Sequence, residues 1–246
     1  MARKRKGNSI HGWLIVDKPL GMTSSAVVGR VRRLYKAAKA GHGGTLDPMA
    51  SGILPIAFGE ATKTVSYVMN GIKYYQFTIR WGESRTTDDA EGEVTASSAI
   101  RPDITAIKTA LKFFVGNIEQ IPPVYSAIKV NGERAYNLAR SNVAVKLKPR
   151  TIHIKQFDLI GMPDQDHATF EVVAGKGSYM RGLARDLALH LGTVGHISAL
   201  RRFKVGPFDI KSSISLEKLE ALGHNVNLAD YLLAVETALD DIPALD

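Results

Sequence analysis

The sequence predicts an α+β protein, because strand patterns, hairpin-like turns and scattered helix patterns follow one another without a regular βαβ series. Residues 73–81 alternate, with Tyr75, Phe77, Ile79 and Trp81 on one face and Tyr74, Gln76, Thr78 and Arg80 on the other. Val27, Val28, Val31, Leu34, Tyr35 and Ala38 recur at helical spacing, and so do Met180, Leu183, Ala184, Leu187 and Leu191.

In chain order, Trp13-Leu14-Ile15-Val16 reads as a buried strand, stopped by Asp17-Lys18-Pro19 and Gly21. Thr23, Ser24 and Ser25 offer an N-cap for the first helix, and Gly41 suits its exit. Arg30, Arg33 and Lys36 project from that helix's remaining surface. Segment 42–52 is glycine-rich and irregular, and 53–58 is a second apolar strand. Asp103 caps a helix through Ile104, Ile107, Leu111 and Phe114, closed at Gly116. Ile152 and Ile154 alternate in a strand that continues irregularly to Leu159, and Phe170 to Val173 gives another. Gly177-Ser178 opens a helix that Gly192 ends. Beyond about residue 212 the pattern is helical and acidic, as in a linker or the approach to another domain. There is no internal repeat and no low-complexity segment.

At 246 residues with 45% apolar side chains, the chain can bury a sizeable core without covalent staples. It has no cysteine, which excludes disulfides, thiolate catalysis and cysteine-ligated zinc. No apolar run reaches membrane-spanning length. The basic start Arg3-Lys4-Arg5-Lys6 has no apolar stretch after it to make a signal peptide, so a cytoplasmic protein is expected. The formal charge of +8 calls for an acidic partner, of which nucleic acid is the commonest, unless the cations merely solvate the surface. Their distribution favours a cationic face. Arg30, Arg32, Arg33, Lys36 and Lys39 crowd one segment and Lys146, Lys148 and Arg150 another, while Asp230, Glu236, Asp240, Asp241 and Asp246 make the C-terminal stretch acidic.

The most informative stretch is Gly41-His42-Gly43-Gly44-Thr45-Leu46-Asp47-Pro48-Met49-Ala50-Ser51-Gly52. Its glycines permit positive φ and close approach of a large ligand. Pro48 biases Asp47 away from helical geometry, presenting a carboxylate at a rigid turn. The plainer reading is that Asp47 caps a turn, as Asp before Pro often does. A phosphate-cradling loop is a weak alternative, because neither Gly-Lys-Ser/Thr nor GxGxxG is present.

The run from His42 to Lys63, with its preceding glycine, resembles the signature of TruB-type tRNA pseudouridine-55 synthases. Further pieces agree in order along the chain: Val16-Asp17-Lys18-Pro19 with Gly21-Met22-Thr23-Ser24, then Lys73-Tyr74-Tyr75, then Ile121-Pro122-Pro123-Val124-Tyr125-Ser126-Ala127. Lys176-Gly177-Ser178-Tyr179-Met180-Arg181 follows, and Gly195-His196 through Leu200-Arg201-Arg202 completes the set, so the resemblance spans roughly residues 12–210. It implies the pseudouridine synthase catalytic fold, a mixed, mostly antiparallel sheet flanked by helices and loops. It also implies isomerisation of uridine 55 in the T loop of tRNA, by a monomer that uses no cofactor, no metal and no membrane.

Carried over residue by residue, Asp47 matches the family's essential aspartate, the catalytic nucleophile. Arg181 matches the arginine that pairs with it, where a guanidinium in contact would hold the carboxylate ionised. Without the match, Arg181 reads as a solvated arginine. Tyr75 matches the tyrosine that stacks on the target base and assists proton removal, although its strand face is also that of a core residue. Leu200 matches a residue lining the uracil pocket, with core packing as the plainer reading. His42 resembles the histidine that enters the T loop where bases have been flipped out. Tyr179 falls among the substrate-binding positions. Lys18 and Lys63 match basic motif positions, assigned to structural support or phosphate contact. Asp89 resembles a family turn with a structural role. Gly43 stands where many relatives have threonine.

The resemblance implies a catalytic domain over 1–212 whose insertion at 121–150 grips the T arm, and a helical segment over 213–246 leading toward an absent PUA-type RNA-binding domain. Cations in the insertion would contact phosphates without reading sequence, so recognition would be largely of T-loop shape. Three alternatives stand beside this reading. One is the related guide-dependent pseudouridine synthase, which the lack of long basic extensions disfavours. Another is a tRNA-folding chaperone with an idle site, which has no reason to keep Asp47, Tyr75 and Arg181 together. The last is a basic protein that binds phosphates through its glycine loop.

Overall fold

Trp13-Leu14-Ile15-Val16 forms the centre of strand β1 (Gly12–Lys18). In the computed structural model all four side chains are within 1% of full burial. The structure describes residues 7–241 other than 127, 131, 142, 144 and 224–227, and of Arg140 and Leu228 the backbone alone. The basic cluster at residues 3–6, Ala127, Asn131 and Asp246 therefore lie outside the described residues.

After β1 come helix α1 (Ser24–Leu34), β2 (Ala40–His42), β3 (Ala50–Phe58), a 3-10 turn (Gly59–Lys63), α2 (Val65–Asn70) and β4 (Lys73–Trp81). A hairpin of β5 (Glu83–Arg85) and β6 (Val94–Ser97) precedes α3 (Ile104–Leu111) and β7 (Gly116–Gln120). The short pair β8 (Lys129–Val130) and β9 (Glu133–Arg134), α4 (Ala135–Arg140), β10 (Arg150–Asp164), β11 (His167–Ala174), α5 (Met180–His190) and β12 (Gly195–Val205) follow. The last elements are β13 (Phe208–Asp209), β14 (Ile214–Ser215), α6 (Leu216–Leu222) and 3-10 turns at Leu228–Tyr231 and Glu236–Leu239. No helix among the described residues is long and apolar enough to cross a membrane. Contacts divide the chain into two units, 1–75 with 201–246, and 76–200.

In the first unit the strand order is β14, β1, β3 and the end of β12, with β2 also on β3. β1 pairs antiparallel with β3 and parallel with β14. Pleating sends Leu14 and Val16 to one face, with Val27, Val31 and Leu219 of the covering helices, and Trp13 and Ile15 to the other, with Val68, Val205 and Phe208. Both faces are covered, which is why β1 and β3 read as unbroken apolar runs rather than alternating ones. In the second unit β7, β10 and β11 form an antiparallel ladder, continued by residues 76–81 of β4 and 195–200 of β12. Its core is aromatic: Phe157 lies 5.9 Å from Phe77 and 5.4 Å from Phe170, ring centre to ring centre.

Thr23 caps α1 and Asp103 caps α3, each accepting a main-chain N–H through its side chain. The exit of α1 differs from the expected Gly41. The helix stops at Leu34, and Lys36 takes a left-handed φ of 49°. Asn8 holds that turn through its main chain, bonding Lys36 O and Ala38 N–H, and the Arg32 guanidinium bonds Ala37 O, so Gly41 falls inside β2. The irregular loop shrinks to 43–49 because β3 begins at Ala50. β10 is irregular as expected, with register shifts on either side of Gly161, and it runs on to Asp164. Residues 228–239 form two single 3-10 turns, not a helix. Between them Leu233 exchanges both main-chain hydrogen bonds with Trp13, at 2.8 and 2.9 Å, and Val235 O accepts the Trp13 indole N–H at 3.3 Å. Replacing Trp13 by alanine empties a fully buried site and removes that last bond. The expected cost is about 3–5 kcal/mol, read from chemical-denaturation midpoints, and a loss below about 1 kcal/mol would contradict this packing.

Candidate functional site

In the first unit, the loop 43–49 joins β2 to β3 and carries Asp47, half-buried, near its middle. Its main chain is gripped from several sides. Ser24, buried at the start of α1, accepts from Leu46 N–H at 2.8 Å and donates to Leu46 O at 2.9 Å. Pro48 O accepts from Gly21 N–H at 2.8 Å and from the Lys18 ammonium at 3.3 Å. Ala50 N–H closes the turn on Asp47 O at 3.1 Å. Arg202, 2% exposed, reaches Gly44 O and Thr45 O. Gly43 is packed closely, since a Cβ there would fall 2.9 Å from Val68 Cγ1. A carboxylate on so restrained a loop is pre-aimed, as acid–base and nucleophilic chemistry require.

Lys18 does not match the substrate-binding half of its expectation. It is fully buried, and its ammonium bonds Pro19 O, Met22 O and Pro48 O at 2.8, 2.7 and 3.3 Å. A buried cation must find acceptors in place of water, and these carbonyls make Lys18 a structural support of the turn before α1 and of the Asp47 loop. Lys63 is exposed and pairs with Glu60, holding that carboxyl below its ordinary range. His42 ends β2, half-buried, opposite Ile56. Tyr75 is half-buried on β4, the last residue of the first unit's opening segment. Arg201 makes a two-point bond to Asp17, at 2.7 and 3.1 Å, and reaches Ser51 Oγ at 3.3 Å.

The second unit holds Arg181, Tyr179 and Leu200. Arg181, on the first turn of α5 and 4% exposed, donates to Thr87 O and Tyr125 O, each at 2.8 Å, and its Nε lies 3.6 Å from Asp89 Oδ2. Asp89 is itself buried, and its other oxygen accepts from the Thr87 hydroxyl and from Glu91 N–H. One helical turn on, Arg185 pairs with Asp88 at 2.9 Å. Burial pushes the Asp88 carboxyl above its ordinary range, opposed chiefly by Arg185 and then by Arg181. Asp89 is thus more than a turn residue: it is a buried carboxylate beside Arg181. The available signal was two arginines four apart on one helix and two adjacent aspartates elsewhere. Gln120, which had no signal, exchanges two bonds of 3.0 Å with the main chain of Tyr179 and so sets the start of α5. Arg150 lies 4.8 Å over the Tyr179 ring and bonds Gly177 O. Leu200 is 6% exposed. The structure thus brings Lys18 and Asp47 to one loop, and Tyr179 and Arg181 to the start of one helix.

The chain matches the family model described as TruB family pseudouridylate synthase (N terminal domain) over residues 32–180, and the tRNA pseudouridylate synthase B C-terminal domain over 181–240. The tRNA pseudouridine synthase B of Rhodospirillum rubrum is 58% identical over 245 residues, spanning 100% of this chain and 80% of that protein. The protein of the same name from Gluconacetobacter diazotrophicus is 57% identical over 244 residues, covering 99% of this chain and 80% of its own length. Among solved structures, a Cbf5-Nop10-Gar1 complex contains a chain of similar fold, with a TM-score of 0.74 and 27% identity over 95% of this chain and 63% of that one.

His196, 2% exposed, holds the β5 strand by a 2.8 Å bond from Nδ1 to Glu83 O. Burial keeps its imidazole below the ordinary histidine range, although the Glu83 carbonyl opposes this. The unfolded chain takes up the proton first, near about pH 6.5. The stability His196 contributes is therefore intact above that pH and is lost as pH falls below it toward the folded value. His196→Asn, which keeps a donor for Glu83 O, is expected to flatten the fall in denaturation midpoint between about pH 7.5 and about pH 5.5. An equally steep fall in both proteins would contradict this.

Proposed function

The chain belongs to the TruB family of pseudouridylate synthases, and on that premise we propose that it isomerises uridine 55 in the T loop of tRNA, with Asp47 as the catalytic nucleophile. Substrate and product are isomers. The N1–C1′ bond breaks, uracil turns over in its pocket, C5 bonds C1′, the C5 proton leaves and a proton ends on N1. No redox equivalent, phosphate or water is consumed, so each step falls to side chains. A carboxylate can bond the nucleoside and be released again, or stabilise an electron-poor sugar. The observation that carries the reading is the restraint of the Asp47 loop, pinned through Leu46 on one side and Pro48 on the other.

The remaining roles follow the family motif. Arg181 keeps the catalytic carboxylate ionised, Tyr75 stacks on the base and assists loss of the C5 proton, and Leu200 and Tyr179 bound the uracil. His42 fills the gap left by the flipped nucleotide, a substitution for stacking that the cost of flipping demands. Lys63 and the insertion 121–150 meet phosphates of the T arm. Residues 1–212 form the catalytic domain, and 213–246 the approach to an RNA-binding appendage. We take the protein to act as a cytoplasmic monomer without a metal.

Two measurements test this. On tRNA transcript carrying tritium at uridine C5, the protein should release tritium, and Asp47→Asn should lower the single-turnover rate by about a thousand-fold or more. Release should also vanish when uridine 55 is replaced; release from such a transcript would refute the assigned target. Replacing both Lys146 and Lys148 by alanine should weaken tRNA binding and reduce the slope of log K against log salt by about 1–2. An unchanged slope would remove these exposed cations from the phosphate contacts.

A further inference from the structure

The Asp47 loop is bridged by a side chain that the roles above do not use. Arg202 leaves β12 and donates from Nη2 to Gly44 O at 3.1 Å, from Nη1 to Thr45 O at 3.2 Å and from Nε to Ile53 O at 2.9 Å. Two of these carbonyls precede Asp47 and one follows it, so a single guanidinium ties the incoming and outgoing stems together. The same residue crowds the outgoing stem with its backbone. Gly52 has φ of 107°, and a Cβ there would fall 2.1 Å from Arg202 O.

Position and chemistry both point to aim rather than bulk. Gly44, with φ of 131°, and Gly52 leave the loop main chain many alternative conformations once its bonds are removed. The planar fork of arginine presents donors in fixed, divergent directions, which is what two stems require. A lysine offers three donors from one point and lacks that divergent reach. Arg202 donates from Nε, Nη1 and Nη2 to main-chain carbonyls inside residues 44–53, although it is buried and a carboxylate would solvate it more strongly. We infer that Arg202 is a positioning residue for the isomerisation, fixing the direction of the Asp47 carboxylate by bridging the stems of its loop. This rests on the reading of Asp47 as the catalytic group.

The test compares the parent protein with Arg202→Lys by three readouts on unmodified tRNA transcript. Single-turnover tritium release at saturating protein should fall about 10–100-fold, as a misplacement on the scale of an ångström does. The Kd for the transcript should stay within about two-fold. Amide hydrogen exchange should quicken in 43–50 and remain as in the parent elsewhere. An unchanged rate, a loss accounted for by Kd, or a slower reaction with unaltered loop exchange would each overturn the inference. If Arg202→Lys does not fold, Ser24→Ala takes its place. It removes both bonds to Leu46, and the same split between rate and Kd is expected, whereas a parental rate would overturn the idea that loop aim limits the reaction. A parent protein that releases no tritium defeats the proposed function, and this inference with it. An active parent, an inactive Asp47→Asn and an unaffected Arg202→Lys defeat this inference alone.

Discussion

In the first unit Lys18 and Arg202 lie out of water and are solvated by the main chain instead. Lys18 takes three carbonyls around the turn before α1, and Arg202 takes three around the Asp47 loop. A desolvated ammonium or guanidinium tolerates few alternative arrangements, because every donor left without an acceptor costs far more than an ordinary hydrogen bond contributes. The carbonyls it gathers are fixed in return. Pro48 O is shared between the Lys18 ammonium and the Gly21 amide, so the end of β1 and the Asp47 loop are restrained by one atom. Strand β3 can begin immediately at Ala50 because the seven residues before it have nowhere else to go.

The second unit meets a related problem with a different set of partners. Its buried arginine faces a carboxylate as well as carbonyls, and that carboxylate is in turn held by a hydroxyl and an amide. Removing one member of such a set costs more than losing an ordinary contact, because a buried charge loses an opposite one. Arg185 repeats the device one turn along α5, and between them the two arginines hold residues 87–89 against that helix. Asp88 accepts a left-handed φ of 59° there, a conformation that aspartate tolerates better than most side chains.

Much of the fold was legible where burial on one face imposes a period. The alternation at 73–81 and the stripe from Met180 to Leu187 became β4 and α5 with the expected faces buried. The exit of α1 was not, because a lysine at positive φ leaves no glycine to mark it and the turn is held by Asn8, far away in sequence. Nor were the turns at 228–239, whose apolar residues are spaced for a helix while Leu233 between them gives both main-chain bonds to Trp13. The Asp47 loop was readable from its glycines and Pro48. Its supports were legible only in part: Ser24 read as a cap residue, Lys18 as structural support or phosphate contact, and Arg202 as a motif arginine with no role. Side chains that bond main chain impose no pattern on the partner's sequence, so such contacts emerge only in three dimensions.

The two units differ in how the ribosome delivers them. Residues 76–200 are contiguous, so everything the second unit needs is available as soon as that stretch has emerged. The first unit is assembled from both sides of it. β1 emerges early, yet its neighbour β14 and its partner Leu233 come from beyond residue 201, and the indole of Trp13 finds its acceptor 222 residues later. The apolar faces of β1 and β3 therefore wait, half-covered, through most of synthesis, a long-range closure that is slow by its topology. The part that carries the Asp47 loop is the last to be completed, so a nascent chain interrupted before residue 201 carries that loop without the arginine that closes it.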